Sequence, residues 1–194
     1  MQIQETQHVL RSLLRGLPHL VLGGVPAERA GEERLAFRRL GVEPSSELRL
    51  SSDAFGNGEP IPTRYTADGG SAEPPLRWSG VPPRARSLAL IVEDPDAPTP
   101  LPFVHWLVYG IPPAATSLDA ARATGAKEGK NSMLKTGWAG CAPPQGDIAH
   151  RYFLQLFAVD RSLDLRPGIG RSALLHAIGG HLLTCATLVG TYRR

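Results

Sequence analysis

Residues 88–109 read LALIVEDPDAPTPLPFVHWLVY: an apolar run, an acidic link punctuated by proline, and a second apolar run. Leu88–Val92 is apolar without alternation, and Trp106–Tyr109 is likewise; both are too short for an ordinary helix. Strands of this kind suit the middle of a sheet that is covered on both faces. The link carries Pro95, Pro98, Pro100 and Pro102, which a helix interior would not tolerate. When consecutive strands pair as antiparallel neighbours, Asp94 and Asp96 at the end of the first and His105 at the start of the second arrive at one end of the sheet.

A third run, Tyr152–Val159, has Gln155 as its one polar member, and His150 opens it directly after the turn Pro143-Pro144-Gln145-Gly146. His150 reaches the same sheet end if this strand runs alongside the second. From Leu48 onward, short runs of β-formers are separated by Pro and Gly clusters at residues 56–62, 73–75, 81–83, 94–102 and 142–146. This rhythm predicts a mainly β, β-rich α+β protein. Leu174, Leu175, Ile178, Leu182, Leu183, Ala186 and Val189 recur at spacings of three and four. They predict a helix over residues 171–189, weakened at Gly179-Gly180, packed on the sheet.

The 194 residues, 42% hydrophobic, suffice for one core. We divide the chain into an N-terminal helical extension, residues 1–45, and a domain, residues 46–194. The extension is expected to hold an amphipathic helix around residues 5–17, then Gly23-Gly24, then a mixed-charge stretch over residues 28–39, and to cover an exposed edge or an oligomer contact. Arg11, Arg15 and Pro18 interrupt its apolar residues, which excludes a membrane span and fits a secretory signal poorly. A net charge of +3, with basic residues spread out, excludes nucleic acid as the main partner. Two cysteines, Cys141 and Cys185, make no disulfide framework, although nothing in the sequence forbids one bridge; a reduced, cytoplasmic setting is the simpler reading.

Asp94, Asp96, His105 and His150 thus form a polar cluster over an apolar floor. Carboxylates beside imidazoles favour the imidazolium, and the proline-rich loops give a preformed rim, so an anionic headgroup is the natural ligand. Each residue also has a plainer reading. The Asp residues could cap turns, His150 could be a solvated strand entry, and His105 beside Trp106 a core histidine. Arg151 is assigned to structure, as partner of a buried carboxylate or carbonyl. Asp-x-Asp matches no strong metal signature, so neither metal nor cofactor is expected. Cys141 has no basic neighbour in sequence to activate it.

Asp94-Pro-Asp-Ala-Pro98 with His105-Trp106, and Pro143-Pro144, Gly146 and His150-Arg151-Tyr152, resemble the two signatures of the phosphatidylethanolamine-binding (Raf kinase inhibitor-like) family. Ile61-Pro62, Tyr65-Thr66, Pro74-Pro75-Leu76, Trp78, Gly80-Val81-Pro82 and Gly190-Thr191-Tyr192 extend the likeness over roughly residues 48–194. The resemblance implies a central antiparallel sheet, a second smaller sheet, peripheral helices, and an anion-binding pocket for phosphate-type headgroups with no established catalytic reaction. It implies Asp94, Asp96, His105, Pro144, His150 and Tyr152 as ligand-binding residues, supported by Trp106, Pro143 and Gly146. Some bacterial members are dimeric, so a homodimer is an implied assembly, and a kinase or hydrolase an implied partner. The chain departs from the pattern at Gly140-Cys141-Ala142 and at Ser71-Ala72-Glu73, where Glu73 is expected to add negative charge near the pocket mouth.

Two other readings stand beside a binding module. One is a hydrolase or lyase using the Asp–His cluster, with or without a metal. The other is an interaction protein whose N-terminal helix is the adhesive element.

Overall fold

A computed structural model describes residues 28–194; the helix expected over residues 5–17 and the Gly23-Gly24 run lie outside them. Seven strands are present among the described residues: β1 (Arg49–Ser51), β2 (Arg77–Ser79), β3 (Ser87–Asp94), β4 (Phe103–Ile111), β5 (Lys127–Glu128), β6 (His150–Val159) and β7 (Leu182–Tyr192). They form a five-stranded antiparallel sheet in the order β5-β4-β3-β6-β7 and a two-stranded sheet of β1 and β2. The three strands expected from apolar runs are β3, β4 and β6, and they occupy the centre. β6 lies beside β3 and not beside β4, so His150 reaches the sheet end from the other flank of the first strand.

The two faces of the sheet explain the apolar runs. Leu88, Leu90 and Val92 of β3, with Tyr152, Leu154 and Leu156 of β6, face one core, closed by Leu50, Trp78, Phe55, Ile61 and the helix Leu118–Ala123. Ala89 and Ile91, with Phe153, Phe157 and Val159, face a second core closed by Leu35, Phe37, Leu163 and the helix Arg171–Ile178. Cys141 belongs to the first core and Cys185 to the second, so the main sheet separates them and both are free thiols.

Two irregularities in β4 matter. Val92 pairs with Trp106 and Glu93 with Val104, which leaves His105 as an extra residue. Trp106 faces the first core, and His105 points the same way, with its ring 5.1 Å from that of Tyr152. A bulge is the device that places two consecutive side chains on one face. A second shift leaves Gly110 unpaired at φ 68, a backbone angle for which glycine carries no side-chain penalty.

The expected helix over residues 171–189 is corrected. The helix ends at Ile178, Gly180 turns the chain at φ 77, and residues 182–192 form β7, paired with β6 along its length. Gly179-Gly180 is a terminator, and Thr184, Thr187, Val189 and Thr191 are β-branched residues suited to an edge strand. Leu182, Ala186 and Val189 mimic helical spacing because they contact different cores: Ala186 lies in the first, Leu182 and Val189 against the second.

Residues 28–45 are built into the sheet. Leu35, Ala36 and Phe37 are buried on its second face. The backbone N–H of Ala36 donates to Glu93 Oε2 at 2.8 Å and that of Phe37 to Gln155 Oε1 at 3.0 Å. Gln155 Nε2 donates to Glu93 at 2.7 Å, Arg171 pairs with Glu93, and Arg171 also bonds the Arg34 carbonyl at 2.6 Å. Ser45 then donates to the Cys185 carbonyl, so the segment also covers the outer edge of β7. Structure runs without a break through the expected boundary at residues 45 and 46.

Candidate functional site

The site forms where β3 ends, β4 begins and β6 begins. Asp94 closes β3; its Oδ1 accepts the N–H groups of Asp96 at 2.8 Å and Ala97 at 3.0 Å, and its Oδ2 lies 2.8 Å from His150 Nδ1. It therefore caps a turn and orients an imidazole at once. Burial pushes the Asp94 carboxyl up, against the hydrogen bond and charge of His150. His150 is buried, and its Nε2 lies 3.2 Å from Asp147 Oδ2 and 3.3 Å from an Arg29 nitrogen.

His105 Nδ1 is 2.6 Å from the Ala139 carbonyl oxygen. A carbonyl only accepts, so Nδ1 carries the proton and Nε2 of the neutral ring is an acceptor. Burial pushes this imidazole down to about 4, with the Ala139 bond opposing and His150 assisting. Carboxylates were expected to favour the imidazolium. At His105 burial wins instead, because its partners are the aromatic rings of Phe103, Trp138 and Tyr152 and no carboxylate bonds the ring.

Asp94, His105 and His150 line one cavity of ≈ 300 Å³, with Pro98, Phe103, Met133, Pro143 and Pro144 among its apolar walls. Two of the expected ligand-binding residues, Asp96 and Tyr152, and two of the supporting ones, Trp106 and Gly146, stand outside its lining. Asp96 accepts from Arg151: Nε at 2.8 Å and the backbone N–H at 2.9 Å on Oδ2, and a terminal nitrogen at 2.7 Å on Oδ1. Burial works to raise the Asp96 carboxyl, but the Arg151 bonds outweigh it and hold it below the usual range. Arg151 is thus the structural partner of a buried carboxylate. Tyr152 is fully buried with its ring edge-on to His105, and its hydroxyl has no hydrogen-bond partner among the described residues. It supports the cavity without lining it. Gly146 makes a turn at φ 77, and Trp106 packs behind, its ring 5.7 Å from that of Trp138.

Glu73, expected near the mouth, pairs with Arg122 in a different cleft of ≈ 270 Å³. Cys141 is buried, and burial raises its thiol far above the ordinary range, which suppresses the thiolate. Among the described residues no three His, Cys, Asp or Glu side chains are grouped to hold a metal ion, and no helix is long and apolar enough to cross a membrane.

Sequence reasoning missed two residues. Asp147 sits three residues before His150, where an Asp after Pro-Pro-Gln-Gly is ordinary turn chemistry. Arg29 lies far upstream; its guanidinium bonds Asp147 Oδ1 at 2.7 Å and Oδ2 at 2.9 Å and also donates to the Asp96 carbonyl. Arg29 foremost, then His150 and the Ile148 N–H, hold the Asp147 carboxyl down at about 2.

Comparison with known proteins places this geometry in context. A family model described as phosphatidylethanolamine-binding protein matches residues 51–193. A UPF0098 protein of Methanothermobacter thermautotrophicus is 45% identical over 153 residues, 76% of this chain and 99% of the relative. A second UPF0098 protein, from Pyrococcus horikoshii, is 35% identical over 190 residues, 94% of this chain and 95% of its own, a match that takes in most of the N-terminal segment. A crystal structure from Chlamydia trachomatis, described as a phosphatidylethanolamine-binding protein homolog, is 38% identical with a TM-score of 0.71, covering 77% of this chain and 99% of its own.

Proposed function

Because this chain belongs to the phosphatidylethanolamine-binding protein family, we propose that it is a non-enzymatic binding module that takes a small phosphorylated or anionic ligand, of phosphate or phosphoethanolamine type, into the cavity at the sheet end. The observation that carries this reading is the convergence of Asp94, His105 and His150 in one ≈ 300 Å³ cavity whose walls are otherwise apolar and proline-rich. Such a site orients a small ligand by a few polar groups and excludes water with the rest. Three carboxylates near an anion site call for an explanation, and each has a partner: Asp94 has His150, Asp96 has Arg151, and Asp147 has Arg29. Asp94 and the Nε2 of His105 are acceptors, suited to an ammonium or to a protonated phosphate oxygen.

Within this reading Asp94, His105, His150 and Pro144 touch the ligand, while Asp96 and Tyr152 hold them in place. Occupancy of the cavity is then what a partner kinase or hydrolase would sense.

Calorimetric titration with inorganic phosphate and with phosphoethanolamine tests the proposal. The wild type should bind, and His150→Ala should weaken binding about ten-fold or more, the size of one lost charge-assisted hydrogen bond. Unchanged affinity in both His150→Ala and His105→Ala would remove the reading. The 2.8 Å Asp94–His150 pair favours a second one, a hydrolase or lyase with an oriented imidazole as general base. Turnover on a phosphoester panel that disappears in His150→Ala would replace the first reading by the second.

A further inference from the structure

Arg29 lies outside the region matched by the family model, residues 51–193, yet its side chain, although not itself part of the cavity lining, ends against His150, which is. Several bonds hold its segment in place: Gly31 N–H donates to the Pro95 carbonyl at 3.1 Å, Arg151 pairs with Glu32, and the buried Glu93 and Gln155 accept the N–H groups of Ala36 and Phe37. One terminal nitrogen of the guanidinium reaches both oxygens of Asp147, and the other lies 3.3 Å from Nε2 of His150, the imidazole that lines the cavity.

The charges around His150 make this placement informative. Asp94 lies on one ring nitrogen and Asp147 on the other, and Arg29 is the one Lys or Arg within hydrogen-bond distance of the ring among the described residues. A phosphoryl group approaching Nε2 would meet a carboxylate on each side of the imidazole. A planar guanidinium whose two terminal nitrogens face Asp147 and His150 presents a pair of donors that suits the oxygens of a phosphate. The side chain is about one-third exposed, at 32%, so a ligand can reach it.

We propose that Arg29 is a ligand-contacting, specificity-determining residue, whose guanidinium trades Asp147 for the phosphoryl oxygens of a phosphate monoester seated against His150. The inference rests on the anion-binding reading above. Asp147 is then a resident competitor that holds Arg29 in the unliganded site, and the N-terminal segment supplies a second guanidinium beside the Arg151 that already balances Asp96.

Titration of the full-length chain with phosphoethanolamine tests it. Arg29→Ala should bind about ten-fold to a hundred-fold more weakly, and Arg29→Lys, which keeps the charge and loses the planar pair of donors, should fall between that variant and the wild type. Asp147→Asn should bind more tightly, because it removes a competitor and a negative charge together. A purely structural Arg29–Asp147 pair predicts something different: both variants would weaken binding alike, and that result overturns the proposal. Unchanged or tighter binding by Arg29→Ala also overturns it, the latter making the guanidinium a plug. Should Arg29→Ala fail to fold, the direction of the Asp147→Asn change decides. Loss of binding in His150→Ala with none in Arg29→Ala sinks this inference alone, whereas a wild type that binds neither phosphate nor phosphoethanolamine takes the underlying reading with it. Vesicles of phosphatidylethanolamine carry the same headgroup as a diester. Binding confined to them and lost in Arg29→Ala would overturn the assignment to a monoester.

Discussion

His105 couples the bulge in β4 to the acid stability of the whole chain. An unfolded chain holds a histidine that titrates near 6.5, whereas burial takes the folded group to about 4. Between those values the unfolded state takes up a proton that the folded state refuses, so the contribution of His105 is complete above about pH 6.5 and is lost as pH falls toward about 4. The full drop is on the order of 3 kcal/mol. Urea unfolding at about pH 7.5 and about pH 5 should show most of this drop in the wild type and little of it in His105→Gln; an equal slope in both would refute the assignment. Asp94, His105 and His150 were legible because strand ends fix where a flanking residue emerges. The allotment of Asp96 to Arg151 was not, since the motif fixes position along the chain and leaves open which side chain wins a carboxylate. Arg29 was illegible for a different reason: its place depends on the Glu93 and Gln155 bonds to Ala36 and Phe37, made across separations of 57 and 118 residues.

At the scale of elements, Glu93 organises more than its position in an apolar strand suggests. It is fully buried and bonds the Ala36 N–H, Gln155 and Arg171, so it joins β3, β6, the N-terminal segment and the helix Arg171–Ile178. Removing its charge leaves Arg171, 18% exposed, without a counter-ion. Glu93→Gln should lower the unfolding free energy by about 3 kcal/mol, the cost of breaking a buried pair from one side. A denaturation midpoint within experimental error of the wild type would show that the pair is dispensable. The same network explains why Gln155, the one polar residue in the Tyr152–Val159 run, occupies a central strand. Elements with uninterrupted β-forming runs were readable from the sequence, whereas β7 was not. Its apolar residues contact two different cores and so imitate the helical period, and only Gly179-Gly180 and the run of Thr and Val pointed the other way.

For the whole molecule, the sheet has a core on each face, and the chain ahead of residue 46 completes one of them. Leu35 and Phe37 each bury a side chain worth about 1.5–3 kcal/mol, against a total stability that for a domain of this size is about 5–15 kcal/mol. Deleting residues 1–40 should therefore produce a protein with exposed apolar surface, increased dye binding and a broadened thermal transition, in place of a trimmed but intact domain. A cooperative transition at the wild-type temperature would contradict this. The expected β-rich architecture, with its smaller second sheet, is present. The extent to which the N-terminal segment belongs to it was hidden, because the mixed charges of residues 28–39 mask two buried anchors.

The main sheet is also a partition. Cys141 and Cys185 lie in the cores on its two sides, and both are fully buried. Joining their sulfurs would require β strands to be parted and both interiors to be wetted. Oxidants in the surrounding medium therefore find neither an accessible thiol nor a reachable pair, and the folded chain is indifferent to changes in redox potential that would cross-link a protein whose cysteines shared one interior.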